Sequence, residues 1–214
     1  MDAVRVKLVT VAEITESFAE RTKASLREAL LEAATDLLAT HGYAGLRMAD
    51  VAAAAGVSRQ TVYNEFGNKM ALVQAVTLRT TAEFLEGIRA RFEAAPDLLT
   101  GIHRAVAYTI EHGRENQLVA SALGTQAGED LLPFLTTRGE PILSAAAELA
   151  AAHYREFVPS LDQPSADLLA ETATRLTLSH LVLPTHSAAE AAERVCAAMA
   201  PAIAHYSSTM ECER

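Results

Sequence analysis

Between Leu46 and Leu72 the chain reads LRMADVAAAAGVSRQTVYNEFGNKMAL, and few folds accommodate that order of residues. Met48–Ala55 is an alanine-rich helical stretch with Val51 and Ala52 on one side. Gly56 ends it, because glycine accepts the positive φ that closes a helix. Val57 is an apolar plug for the turn. Ser58 is placed to cap the next helix through its hydroxyl. That helix, Arg59–Glu65, sets Val62 and Phe66 on one side at i, i+4 spacing. Its other side carries Arg59, Gln60, Tyr63 and Asn64. Asn68-Lys69 then opens a third helix.

Two short helices joined by so tight a turn form a helix-turn-helix, whose second helix enters the DNA major groove. Arginine pairs with guanine edges and glutamine with adenine edges, so Arg59 and Gln60 are the expected base readers. Tyr63 and Asn64 lie one turn later, suited to a thymine methyl, an adenine or a phosphate. Ser58 and Thr61 are expected on phosphates, with capping and packing as their competing roles. Lys69 joins the exposed amides of a helix N-terminus in an anion site. Arg21, Lys23 and Arg47 are further phosphate candidates. Val62 and Phe66 are core.

The run GVSRQTVYNEFGNK resembles the signature of the tetracycline-repressor-like (TetR) family of bacterial regulators. The matching features are Ala55-Gly56-Val57-Ser58, Thr61, Tyr63, Phe66 and Asn68-Lys69. The resemblance spans about Ser25 to Leu72. It implies an all-α protein of about nine helices, with a three-helix DNA-binding head and a C-terminal bundle for ligand binding and dimerisation. It further implies a ligand-responsive transcriptional regulator, expected to be a repressor. Such a protein binds a palindromic operator as a homodimer and is released by a small hydrophobic molecule. Two positions depart from the family pattern. Arg47 stands where a capping threonine is usual, and Glu65 where a histidine is frequent. The competing function keeps the fold but loses operator binding, leaving a helical small-molecule- or partner-binding protein. Glu65 and the acidity of the chain are its support.

That acidity is uneven. The 214 residues carry a net charge of −9, which by itself argues against phosphate binding. From Arg21 to Lys69, however, six Lys/Arg face five acids, while from Met70 onward ten Arg face eighteen Asp/Glu. The head is near neutral, and the acidic body disfavours indiscriminate DNA binding. Half the residues are hydrophobic but only 5% are aromatic, which suits close-packed helices of Ala, Leu and Val.

The expected organisation is an arm or extra helix over 1–20, the DNA-binding domain over 21–70, the ligand-binding and dimerisation domain over 71–208, and a tail over 209–214. Ser25-Leu26-Arg27-Glu28 reads as a capping box starting the first long helix. Leu26, Leu30, Ala34, Leu37 and Leu38 follow on its inner face, and His41-Gly42 ends it. A helix from Lys69 to about Ala94 is capped by Asn68 and stopped by Pro96. Further helices are expected at about 97–112, 115–123, 129–136, 139–157, 165–182 and 188–206. Breaks fall at Gly113, Gly124, Gly128, Pro159, Pro164 and Pro184. Ser187–Glu190 is a second capping box.

No local motif marks a ligand site in the body. Following the resemblance, Phe84, Ile88, Phe92, Ile102, Val106, Tyr108, Phe134, Leu143, Tyr154 and Phe157 are candidate cavity walls, with ordinary core packing as the competing role. An aliphatic lining suits a fatty acid or acyl derivative. His103, Arg104, His112 and Arg114 are candidates for an acidic head group, with solvated surface as the alternative. Two stripes of small residues point to a four-helix dimer interface: Ala170, Ala173, Leu176 and His180, and Ala192, Cys196, Met199 and Ile203. Burial within one subunit competes with that reading.

Enzymatic motifs are missing from the sequence. No histidine follows a glutamate at i+3, as di-iron sites need. There is no phosphate-cradling Gly-x-x-x-x-Gly-Lys loop and no Gly-x-Ser-x-Gly elbow. Cys196 and Cys212 have no metal spacing. The chain is expected to be neither an enzyme nor a cofactor or metal protein. It shows no signal peptide and no membrane-spanning run, so a cytoplasmic location is expected.

Overall fold

The computed structural model describes residues 11–124 and 139–209, and every regular element among them is an α-helix. In chain order these are α1 (Val11–Gly45), α2 (Met48–Ala54), α3 (Arg59–Phe66), α4 (Lys69–Glu93), α5 (Leu98–Glu115) and α6 (Gln117–Gly124). After them come α7 (Glu140–Phe157), α8 (Gln163–Val182) and α9 (Ala188–Thr209). The helix expected at 129–136 lies outside the described residues, as do residues 1–10 of the expected arm and 210–214 of the tail.

Helix α1 corrects one expectation. It does not start at Ser25 but runs on from Val11, so Ser25 sits inside it. No glycine or proline interrupts 11–25. A capping box marks where a helix can begin, and a chain that is already helical passes through it. Leu30, Ala34 and Leu38 are fully buried at i, i+4, i+8 spacing. The kink falls at Gly42, with φ 66° and ψ −179°.

The chain divides into two compact units. The first holds the described residues up to Leu37 together with Leu46–Val76. Its core includes Leu30, Leu31, Ala34, Leu46, Met48, Val51, Val62, Phe66, Leu72 and Val76. Helix α2 has Arg47 at its N-cap with no side-chain hydrogen bond to the helix, as the missing threonine implies. Gly56 follows its C-cap at φ 68°, and the Val57 amide donates back to the Ala52 carbonyl at 2.9 Å. Ser58 Oγ accepts from the Thr61 amide at 3.1 Å and caps α3. Asn68 Oδ1 accepts from the Ala71 amide at 2.9 Å and caps α4.

The second unit holds Leu38–Gly45 and the described residues from Thr77 on. Here α7 packs along α8, and α9 packs along α5 and α8. Ile102, Ile110, Tyr154, Ala166, Ala170, Ala192, Val195 and Met199 form its centre. Side-chain caps start α5, α8 and α9. Asp97 Oδ1 accepts from the Thr100 amide at 2.8 Å, and Asp162 Oδ1 from the Ser165 amide at 2.9 Å. The Ser187–Glu190 box is made in both directions, at 2.9 and 3.3 Å.

Gly113 is not the break the sequence suggested. Helix α5 runs through it to Glu115, and Asn116 turns the chain by accepting from the amides of Leu118 and Val119. Glycine stands at 113 because a Cβ there would lie 2.6 Å from Leu181 Cδ1. Pro201 sits within α9 without ending it, since Met199 and Ile203 on either side are buried in the core.

Candidate nucleic-acid interface and effector cavity

The outward face of α3 is ordered by pairs of side chains one turn apart. Arg59 Nη2 donates to the Tyr63 hydroxyl at 3.1 Å, and its guanidinium lies 5.2 Å from the centre of that ring. Gln60 Nε2 donates to Asn64 Oδ1 at 2.8 Å. Each bond uses one donor of a multivalent group. Gln60 keeps an acceptor and a second donor, the combination an adenine edge requires. Holding the reader from the next turn reduces the rotamer freedom lost on contact with a base.

The other predicted positions of the head spread around this face. Ser58 and Thr61 share a hydroxyl–hydroxyl hydrogen bond of 2.9 Å, so both contribute to the cap. Arg21, Lys23 and Arg47 are exposed. Lys69 is half-buried at the first position of α4.

Glu65, the departure from the family pattern, has a partner the sequence did not single out. Arg27 Nη1 on α1 donates to Glu65 Oε1 at 2.7 Å. The same guanidinium lies 4.7 Å from the centre of the buried Phe66 ring. The two residues are 38 positions apart, and no local pattern links them.

The second unit contains an apolar cavity of about 150 Å³. Its walls come from α4 (Thr77 through Phe92), α5, α6, α7 and α8. Of the predicted residues, Phe84, Ile88, Phe92, Ile102, Val106 and Tyr154 lie in the wall. Phe157 packs on the core instead. Leu143 is half-buried and not part of the wall. Tyr108 is not part of the wall and is stacked on His112 at 5.1 Å with Arg91 3.8 Å from its ring centre. Phe134 lies outside the described residues.

Sequence reasoning missed the cavity's polar component, a set of threonines. Thr81, Thr109, Thr174 and Thr177 donate to the carbonyls four residues earlier, at 2.8–2.9 Å. Their donors are therefore used, and lone pairs and methyls are what remain. Burial, then the neighbouring Cys196, pushes the Tyr154 hydroxyl far above its ordinary value, so it stays neutral. Among the described residues no charged side chain lines the cavity. Two head-group candidates are committed elsewhere: Arg104 donates to the Ala94 carbonyl at 2.8 Å and Arg114 to the His186 carbonyl at 2.9 Å.

For most residues of the predicted dimer stripes the structure shows the competing reading, burial within one subunit. Ala170, Ala173, Ala192, Met199 and Ile203 are buried inside the single chain, and Leu176 and Cys196 pack on the same core. His180 is half-buried, 5.9 Å from His186. Periodicity showed that these faces are apolar, and the chain's own helices cover them. Leu168 and Leu183 are the large apolar side chains that α8 and its C-cap leave exposed.

Residues 30–76 match the family described as bacterial regulatory proteins, tetR family, and residues 97–201 match the bacterial tetracyclin repressor C-terminal domain. The HTH-type transcriptional regulator AlkX of Mycobacterium tuberculosis is 34% identical over 169 residues, 78% of this chain and 80% of that one. The chain belongs to the TetR family. A crystal structure of the TetR family repressor AlkX from Dietzia sp., implicated in biodegradation of n-alkanes, superposes with a TM-score of 0.67 and 25% identity. It covers 85% of this chain and 96% of that one. The Bacillus subtilis regulator FadR in complex with stearoyl-CoA shares the fold, with a TM-score of 0.55 and 16% identity over 80% of this chain and 96% of that one. This TetR-family protein is a DNA-binding transcriptional regulator with a helix-turn-helix and a C-terminal ligand-binding domain. No described helix is long and apolar enough to cross a membrane.

Proposed function

We propose that this regulator is a repressor that binds a palindromic operator as a homodimer and is released by a neutral or weakly polar aliphatic molecule. The cavity supports the effector class: its described walls are apolar and relieved only by hydroxyls. Apolar burial drives such binding at roughly 25 cal/mol per Å². A cavity near 150 Å³ holds a molecule about the size of benzene, so a longer alkyl or acyl chain must move the walls apart. That displacement is the proposed switch. Helix α4 is unbroken from Lys69 through Thr77, Phe84 and Phe92, so one helix carries both a DNA-site candidate and cavity walls. A ligand that fits only the widened state shifts the equilibrium toward it. The alkane-linked Dietzia repressor and the stearoyl-CoA complex of FadR are consistent with an alkyl or acyl effector.

For the DNA, we propose that Arg59 and Gln60 read bases, with Tyr63 and Asn64 beside them. Ser58, Thr61, Lys69, Arg21, Lys23 and Arg47 position the backbone. Two-fold symmetry would place the recognition helices about one DNA turn, ~34 Å, apart. The exposed side of α8, around Leu168, is the proposed dimer surface. The competing reading, a head that has lost operator binding, loses its main support because Glu65 is paired.

Fluorescence anisotropy on the DNA upstream of the protein's own gene, at two salt concentrations and against scrambled DNA, tests the first part. Alkanes, alcohols and fatty acids of graded length, titrated into the complex, test the second. Binding with no sequence preference would count against operator recognition. Release by none of the graded series would count against an aliphatic effector.

A further inference from the structure

We infer that Arg27 and Glu65 are a positioning pair that sets the angle at which α3 presents its base-reading residues. The inference rests on the DNA-reading role proposed for α3.

Helix α3 has eight residues, too few to hold a conformation by itself. Its orientation comes from what it packs against. Val62 and Phe66 are buried, which fixes the side turned to the core but leaves the tilt of the helix and its sliding along its axis less constrained. Arg27 supplies a directional constraint. One edge of its guanidinium donates to Glu65 at 2.7 Å, and the group also lies 4.7 Å from the centre of the Phe66 ring. An arginine can do both at once because its planar fork bonds at the edge and stacks on the face. Thus α1 grips two successive residues at the C-terminal end of α3. Gly67, at φ 74°, then turns the chain out of the helix.

The burial is asymmetric. The Glu65 side chain is 13% exposed and that of Arg27 44%. Glu65 is thus held mostly inside the head, and Arg27 covers it from outside. A carboxylate near DNA should weaken binding through repulsion from phosphates. Charge counting therefore predicts that Glu65→Gln binds DNA more tightly. The pair predicts the reverse, because Glu65→Gln releases the grip of Arg27.

The test uses the full-length protein and a duplex recovered by in vitro selection with the wild-type chain. A scrambled duplex of equal length is the control. The variants are Arg27→Met, Arg27→Lys, Glu65→Gln, the Arg27→Met/Glu65→Gln double and the Arg27→Glu/Glu65→Arg exchange. Circular dichroism and thermal unfolding establish that each is folded, and the exchange variant supplies a second route if a single variant is not.

Arg27→Met and Glu65→Gln should each weaken binding to the selected duplex by about tenfold, the scale of one exposed charge pair lost at each of two half-sites. Binding to the scrambled duplex should change little, so discrimination falls. The double variant should be no worse than either single. Arg27→Lys should resemble Arg27→Met, since it keeps the charge but not the fork. The exchange variant should recover part of the loss, and the salt slope should stay constant.

Tighter or unchanged binding by Glu65→Gln would overturn the pair. So would a salt slope lowered by about one unit per Arg27 removed and restored by Arg27→Lys, which is the pattern of a phosphate contact. If the wild-type chain enriches no sequence at all, the operator reading itself fails, and the pair with it.

Discussion

Leu181 lies so close to Gly113 that a Cβ on residue 113 would come within 2.6 Å of its Cδ1. Leu181 is also a wall of the cavity. One contact therefore connects the packing of α5 against α8 to the volume open to a ligand. Gly113→Ala must turn the Leu181 side chain, and the cavity is the empty space beside it. The expected fold cost is about 1 kcal/mol, at the low end for overpacking, because a void receives the displaced methyl. The expected functional cost is larger: effector release should need several-fold more ligand, while operator affinity without ligand stays the same. Thermal unfolding and anisotropy titrations of the same preparation separate the two. Wild-type ligand response in a destabilised variant would show that Leu181 moves elsewhere.

Filling the cavity should stabilise the protein and disable its response. Ala146 on α7 lines the cavity and is half-buried. Ala146→Leu should raise stability by ~0.5–2 kcal/mol, the usual gain from a cavity-filling change. It should also give a regulator that stays on DNA at ligand concentrations that release the wild type. A melting temperature below wild type would mean that the void is closed in the free protein.

The helix-turn-helix and the start of α4 predict two kinds of DNA phenotype. Gln60→Ala should weaken specific binding by ~1–3 kcal/mol and relax base preference at one position of each half-site. Lys69→Ala should weaken all sequences about equally and flatten the salt slope by roughly one unit. Measuring both variants against selected and scrambled duplexes at several salt concentrations checks the assignment. A change in base preference alone for Lys69→Ala would refute its phosphate role.

Acid should loosen the second unit through its helix caps. The Asp97 carboxylate is held below its usual value by the Thr100 amide and hydroxyl, Asp162 by the Ser165 hydroxyl and amide, and Glu190 by the Ser187 amide and hydroxyl. A depressed carboxyl pKa contributes stability that is complete above the unfolded value and is lost as pH falls through the folded one. The melting temperature should therefore hold from neutral pH down to about 5 and then fall toward about 3. In an Asp97→Asn/Asp162→Asn variant the fall should be shallower, since amide oxygens still cap but do not titrate. An unchanged profile would assign the acid sensitivity to other carboxylates.

The two capping boxes show how far a local pattern can be trusted. Ser187–Glu190 starts α9 as read, because Pro184 precedes it and leaves no helix to continue. Ser25–Glu28 has the same spelling but lies inside α1, because nothing upstream stops the helix. The small-residue stripes of α8 and α9 teach a related lesson. Their spacing revealed apolar faces, while the identity of the covering surface depended on how α5, α7, α8 and α9 pack. The cavity threonines were illegible for the same reason. A threonine four residues beyond a carbonyl is common in helices, and only tertiary packing turns several of them toward one void.

The helix-turn-helix was determined by residues that act within a few positions of themselves. A serine three residues before the amide it caps, a glycine at positive φ, an asparagine opening α4 and two apolar residues one turn apart need no distant partner. Their geometry is local, so the sequence carried it in full. The tertiary structure decided what depends on residues far apart in the chain. It paired Arg27 with Glu65 across 38 positions, set Leu181 against Gly113, and buried stripes that a partner subunit was expected to cover. Those outcomes depend on which helix faces meet, and helical periodicity gives each face its character without choosing its neighbour.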